Sequence, residues 1–300
     1  MTTASFLPTT PSAGRRPSHL VIACLVATWL IWGSASLAIK FALAGFAPFF
    51  QMGTRFVVAG GVLMAWTRLR GAAWPSRLQW RNSVLVGALM LGGGMGCSAL
   101  AEQTVGSGLV VAFAAISPLL FATVNLFFGV RTSRMEALGI AVGVAGVLML
   151  TQGRSFQASP SGLLAIATAC LSWSIGSVLS QQRLPLAPGP MGFASEMLCG
   201  GGVLLAISAS RGEAMLLPTT AAPWLAWAYL VIFGSLVAFS AYMVLLARVS
   251  PALATSYSFV NPLIAMFLGV ALGGESVTPF EWRSVAVILG GVVLLICRRR

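Results

Sequence analysis

Apolar stretches of about twenty residues recur from one end of this chain to the other. A hydrocarbon core about 30 Å thick is crossed by a helix of roughly 20 residues, and a helix satisfies all of its backbone polar groups within the segment. Ten such stretches fall at about 20–42, 46–67, 83–102, 107–128, 135–152, 161–181, 189–209, 223–246, 252–272 and 282–297. With 58% hydrophobic and 8% charged residues, the chain lacks the polar surface to coat soluble domains of this length. The expected fold is an all-α membrane protein with ten transmembrane helices, for which the lipid bilayer is the main partner. Arg15 and Arg16 precede the first stretch as in a signal peptide. Nine more stretches follow without a cleavage-like end, so the first is read as a retained span.

Charge supports a membrane and argues against nucleic acid. The formal charge is +12, but the basic residues stand singly or in small groups between apolar stretches, with no basic face or stacking motif. Cytoplasmic loops should carry the excess of Lys and Arg. With the N-terminus inside, thirteen of the eighteen fall on inner flanks, Arg154, Arg211 and Arg283 in outer loops, and Lys40 and Arg55 within spans. Both termini are therefore expected in the cytoplasm and the chain in the cell inner membrane. The chain has no Asp, one His and six Glu, and its five cysteines show no metal or disulfide spacing. This inventory argues against an enzyme and implies neither cofactor nor metal.

The chain also repeats itself. At an offset of 144, Val105, Leu109, Pro118, Leu119, Gly129, Gly146 and Leu150 meet Val249, Leu253, Pro262, Leu263, Gly273, Gly290 and Leu294. At 141, Gly60-Gly61-Val62-Leu63 meets Gly201-Gly202-Val203-Leu204, and at 143 Gly33-Ser34 meets Gly176-Ser177. Each half then holds five helices. Because five is odd, the second half enters the membrane in the opposite sense, which predicts two inverted five-helix repeats. The expected layout is a tail over 1–19, a first repeat over 20–152, a second over 161–297 and a terminus at 298–300. Such a pair supplies two related conformations around one midplane cavity.

These residues resemble the drug/metabolite transporter superfamily in its EamA-type ten-helix form, over about residues 20–297. Trp32-Gly33-Ser34 with Lys40 is similar to the first-helix signature, and Thr54-Arg55-Phe56 to the second-helix pattern. Ala247-Arg248-Val249, Asn261-Pro262, Gly273-Gly274-Glu275 and Gly290-Gly291-Val292 resemble the second repeat in order and spacing. The first repeat departs, with Gly129-Val130-Arg131 where the family often has a Gly-Glu pair. The resemblance implies a secondary transporter, nearest to bacterial amino-acid and metabolite exporters.

Within that frame the residues divide by what they offer. Trp29, Trp32, Trp173, Tyr242 and Tyr257 are aromatic groups for an apolar cavity wall, or equally for core packing. Ser117, Gln103, Asn125 and Asn261 add hydrogen-bonding capacity to it. Trp224, Trp227 and Tyr229 are assigned to the interfacial belt. Arg55 and Glu196, aligned at offset 141, are the charges furthest from their helix ends. A charge at such depth costs about 2.5 to 3.5 kcal/mol, so each should face a wet cavity or a partner. Arg55 suits a substrate carboxylate or snorkels outward; Glu196 suits an ammonium group or a coupling proton, and the two should not touch. Lys40 and Glu102, at the outer ends of their helices, form a possible outer-gate ion pair. Pro118 and Pro262 mark hinges or static kinks in helices four and nine. Gly139, Gly143, Gly146, Gly290 and Gly291 are expected to pack helix five on helix ten, and Gly92-Gly93-Gly94-Met95-Gly96 reads as packing or flexibility.

The expected activity is export of amino acids or related small metabolites by a functional monomer. A multidrug or other metabolite carrier of the same superfamily is the alternative, and a channel or a membrane enzyme stands further off.

Overall fold

The computed structural model describes residues 18–104, 117–152, 159–214, 217–273 and 278–296. Its elements are α1 (His19–Leu43), α2 (Pro48–Leu69), α3 (Arg77–Ala101), α4 (Ser117–Leu126), α5 (Arg134–Thr151), α6 (Pro160–Gln182), α7 (Pro190–Ser210), α8 (Ala221–Arg248), α9 (Tyr257–Gly273) and α10 (Pro279–Ile296). No strand occurs among the described residues. Each predicted span coincides with one of these helices to within a few residues, although 107–116 of the fourth lies outside the described residues. Five of them, α1, α3, α6, α7 and α8, are long and apolar enough to cross a membrane. Large apolar side chains such as Leu30, Val62, Leu164 and Phe233 point outward from the bundle, as a lipid solvent allows.

Local chemistry sets the helix ends. Ser18, Ser76, Ser133 and Ser159 cap the starts of α1, α3, α5 and α6, the middle two as capping boxes with Gln79 and Glu136. α2, α6 and α7 begin with proline, whose missing N–H is no loss in the first turn. α2 and α7 stop alike: Gly71 and Gly212 take positive φ, and Ala72 and Glu213 donate back to Thr67 and Ser208. Those positions are related by the offset of 141 seen in the sequence.

Two features differ from the sequence expectation. The glycine run of α3 is a π-helical segment, Ala88–Gly96, and α8 carries another, Leu230–Phe239, at the corresponding place. Helix nine is also interrupted. A single turn, Pro251–Ala254, precedes α9, with the break at Thr255–Ser256 rather than at Pro262. The Thr255 hydroxyl donates to the Pro251 and Ala252 carbonyls, and Ser256, Ser258 and Phe259 make i to i−3 backbone bonds, so side-chain and tighter backbone bonding displace the α-helical pattern.

The helix contacts come in matched sets. α1 packs on α8 and α9, while α6 packs on α3 and α4; α3 meets α7, and α2 meets α8. α2 with α7 and α5 with α10 form two further extensive pairs. Glycine permits both approaches. A Cβ on Gly201 would stand 2.9 Å from the Val57 nitrogen, and one on Gly291 2.7 Å from the Gly143 nitrogen. Gly61, Gly202 and Gly290 face open space, so of the pair expected in helix ten Gly291 makes the contact and Gly290 does not. The main core lies chiefly between α1, α2, α3 and α8, with Trp173 and Val178 of α6 against it.

Candidate functional site

A cavity of about 150 Å³ lies between α1, α3, α4, α6 and α9. Each helix contributes one face. Trp32, Ala35 and Ile39 recur at helical spacing on α1, Gly94, Ser98 and Glu102 run one turn apart along α3, and Ile166, Ala169, Cys170 and Trp173 share a face of α6. Tyr257, Ser258 and Asn261 come from α9, and Ser117 from α4. The cavity extends to the end of the bundle where Ser159 N–H donates to the Thr104 carbonyl.

Aromatic rings form its floor. Trp32 stands with ring centroids 5.7 Å from Trp173, 5.2 Å from Tyr242 and 4.6 Å from Tyr257, and Tyr242 is 5.4 Å from Trp173 and 5.6 Å from Tyr257. The Trp32–Trp173, Trp32–Tyr257 and Tyr242–Tyr257 pairs are edge-to-face, and pairs of that kind contribute about 0.5–1.5 kcal/mol each beyond area burial. The π segments hold the two tryptophans. Trp173 lies against Gly94, where a Cβ would come within 3.0 Å of its ring, and the Trp32 indole N–H donates to the Gly234 carbonyl at 3.3 Å. Insertions of this kind concentrate at functional sites, where they alter the register of a helix face.

Beneath the floor lies a set of buried polar groups. Tyr242 is fully buried and its hydroxyl is 3.1 Å from that of Ser177; Ser83 and Ser195 pair at 2.8 Å. Glu196 is 0% exposed and both carboxylate oxygens are without a hydrogen-bond partner among the described residues. It sits in electrostatic reach of Tyr242.

Arg55 is equally buried, but it is satisfied. Its Nε donates to the Ser235 hydroxyl at 2.7 Å, within the π segment of α8, and its guanidinium lies over Phe56. It does not line the cavity. The acidic group in its electrostatic reach is Glu102, not Glu196, so these two coupling candidates are indeed apart. Glu102 itself lines the cavity, and its buried Oε2 is unpartnered among the described residues.

The structure therefore brings together Trp32, Trp173, Ser117, Tyr257 and Asn261 of the expected wall, and separates the others. Trp29 points one turn away and donates to Ser256. Tyr242 is under the floor. Gln103 lies beyond the end of α3 in an exposed turn. Asn125 is at the opposite end of α4, donating to the Phe121 carbonyl beside a small pocket with Pro118 and Glu136. The expected Lys40–Glu102 pair is not made: Lys40 is exposed at the end of α1, while Glu102 turns into the cavity. Pro262 lies inside α9 with no interruption there. Of the expected belt, Trp224 is exposed, but Trp227 bonds to Thr54 and Tyr229 to Ser34. Ser98, Met95, Ser258 and Ser235 escaped the sequence reading. The turn-by-turn recurrence of Gly94, Ser98 and Glu102 was the available signal for the first.

The EamA-like transporter family model matches this chain twice, at residues 19–152 and 160–297. The uncharacterized inner membrane transporter YedA of Escherichia coli strain K12 is 40% identical over 272 residues, covering 90% of this chain and 89% of its own. A WAT1-related chloroplastic protein of Arabidopsis thaliana is 26% identical over 94% of this chain and 71% of its own. A solved crystal structure aligns at a TM-score of 0.75 and 23% identity, over 93% of this chain and 96% of the other, which is a likeness of fold. Matched in both halves and closely related along nearly its whole length to a membrane transporter, this chain belongs to the EamA-like transporter family.

Proposed function

We propose that the chain is a secondary transporter that exports amino acids or related small metabolites across the cell inner membrane by alternating access. In this reading two five-helix repeats of opposite orientation, 20–152 and 161–297, enclose the cavity, both termini are cytoplasmic, and the monomer is the working unit. The observation that carries it is the asymmetry of the centre. A cavity extends from Trp32 and Trp173 to Glu102 at one end, whereas Glu196, Ser195 and Ser83 are fully buried at the other. That is the arrangement of a carrier in an outward-open conformation, given the arginine distribution. The matched helix contacts support the repeat: exchanging the halves turns α1 on α8 and α9 into α6 on α3 and α4, and returns α2 with α7 and α5 with α10 to themselves. The membrane assignment follows the name of the YedA relative.

Counterflow of a labelled amino-acid and metabolite panel in proteoliposomes, with and without a pH gradient, tests this. Saturable exchange that stops on Trp173→Ala substitution is expected. Flux that rises linearly with concentration would make the protein a channel.

A further inference from the structure

The transport reading leaves open which charge the cavity accepts. The cavity's unpartnered side-chain groups are mostly acceptors. Glu102 Oε2, the Asn261 Oδ1 and the Ser258 hydroxyl oxygen have no hydrogen-bond partner among the described residues, and the Trp173 indole N–H is an unpartnered donor beside them. No Lys or Arg is among the described residues that line it. Arg55, the basic group expected to hold a substrate carboxylate, is not among the lining residues and donates its Nε–H to Ser235. A carboxylate entering here would meet like charge at Glu102 and no lining Lys or Arg, the Arg55 charge acting from outside the cavity. An ammonium group would meet a carboxylate oxygen that lacks a hydrogen-bond partner among the described residues, and buried charges are tolerated where they are paired.

Distance gives the shape of the ligand. Gly94, which carries the Trp173 ring, and Glu102 lie on one face of α3, about 12 Å apart at 1.5 Å per residue. Between them the wall is mainly apolar, with Ile39, Met95 and Ile166. A molecule with its cation at Glu102 would lay an apolar or aromatic body down to the Trp32 and Trp173 floor.

Resting on the carrier reading, and narrowing its substrates from amino acids to related amines, we infer that the cavity takes a small organic monocation, an arylalkyl ammonium rather than a free amino acid or a carboxylate, with Glu102 as its counter-ion. Asn261 accepts a second hydrogen bond from the head group, and the aromatic floor holds the ring.

Isothermal titration of the full chain in nanodiscs tests the inference with four probes sharing one ring: phenethylamine, its permanently charged N,N,N-trimethyl derivative, phenylalanine and 3-phenylpropionate. Both cations are expected to bind at least tenfold more tightly than the other two. Glu102→Gln should weaken both cations at least tenfold, while Glu102→Asp, which keeps the charge, retains phenethylamine binding. Thermal unfolding of both variants at the wild-type temperature shows that the fold is intact. Equal binding of 3-phenylpropionate, or cation binding unchanged in a folded Glu102→Gln protein, overturns the inference. Counterflow of the labelled trimethyl derivative, which does not leak through lipid as a free amine does, separates the two readings. Binding without counterflow keeps the cation site and removes the carrier; counterflow of phenylalanine without binding of either cation does the reverse.

Discussion

At the scale of single residues, the two deep charges have opposite circumstances. Arg55 is held by Ser235, so Ser235→Ala leaves a buried guanidinium Nε without its acceptor. A hydrogen bond to a charged group is worth about 1.5–3 kcal/mol, and that loss should appear as a lower unfolding temperature, with Ser235→Thr restoring most of it. Glu196 has no such partner among the described residues. An ionisable group placed there at an insertion cost of about 2.5 to 3.5 kcal/mol is expected to serve transport rather than the fold. Glu196→Gln should therefore leave stability near wild type and flatten the pH dependence of counterflow. A pH profile superimposable on the wild type would remove Glu196 from coupling.

At the scale of elements, glycine spacing and hydrogen-bond register do most of the organising. Helices five and ten pair through Gly139, Gly146 and Gly291, where a Cβ would meet backbone of the partner helix, while one on Gly143 would meet the Phe259 ring of helix nine. Gly291→Val should separate them and cost about 1–3 kcal/mol, as overpacking does. Gly290→Val, which meets nothing within 4 Å, should be close to neutral, so comparison of the two melting temperatures checks the interface directly. The π segments were not legible beforehand. Gly92 to Gly96 drew attention as a glycine run, but Leu230–Phe239 has a single glycine, and a shift of hydrogen bonds from i−4 to i−5 leaves no fixed composition. The prolines attracted the hinge assignment instead, yet in helix nine the break falls at Thr255–Ser256, where hydroxyls compete for backbone carbonyls.

At the scale of the whole molecule, the sense in which each half crosses the lipid decides whether alternating access is available. Single cysteines at Ser76, between α2 and α3, and at Ala214, after α7, both exposed, can be placed in a chain whose native cysteines are changed to Ala. A membrane-impermeant maleimide should reach Ser76→Cys from the cytoplasmic side and Ala214→Cys from the outer side. Labelling of both from one side would end the inverted-repeat reading. The Glu213 carboxylate adds a link between halves. It accepts from the Phe49 and Phe50 N–H groups at 3.2 and 2.9 Å, so a loop of the second half caps the start of α2 in the first.

The number, place and apolar character of the helices were readable from residue order, because lipid demands some twenty apolar residues per crossing and leaves few alternatives. The duplication was readable too, since Gly60-Gly61 and Gly201-Gly202 keep one spacing in both halves. Which polar groups share the cavity was not. Glu102 looked like a partner for Lys40, and Arg55 like a substrate ligand, because sequence reports depth along a helix but not rotation about it. Helix packing set those rotations. It turned Arg55 to Ser235 and Glu102 into the cavity, and it gathered Trp32, Trp173 and Tyr257 from three helices into the floor with Tyr242 packed beneath them.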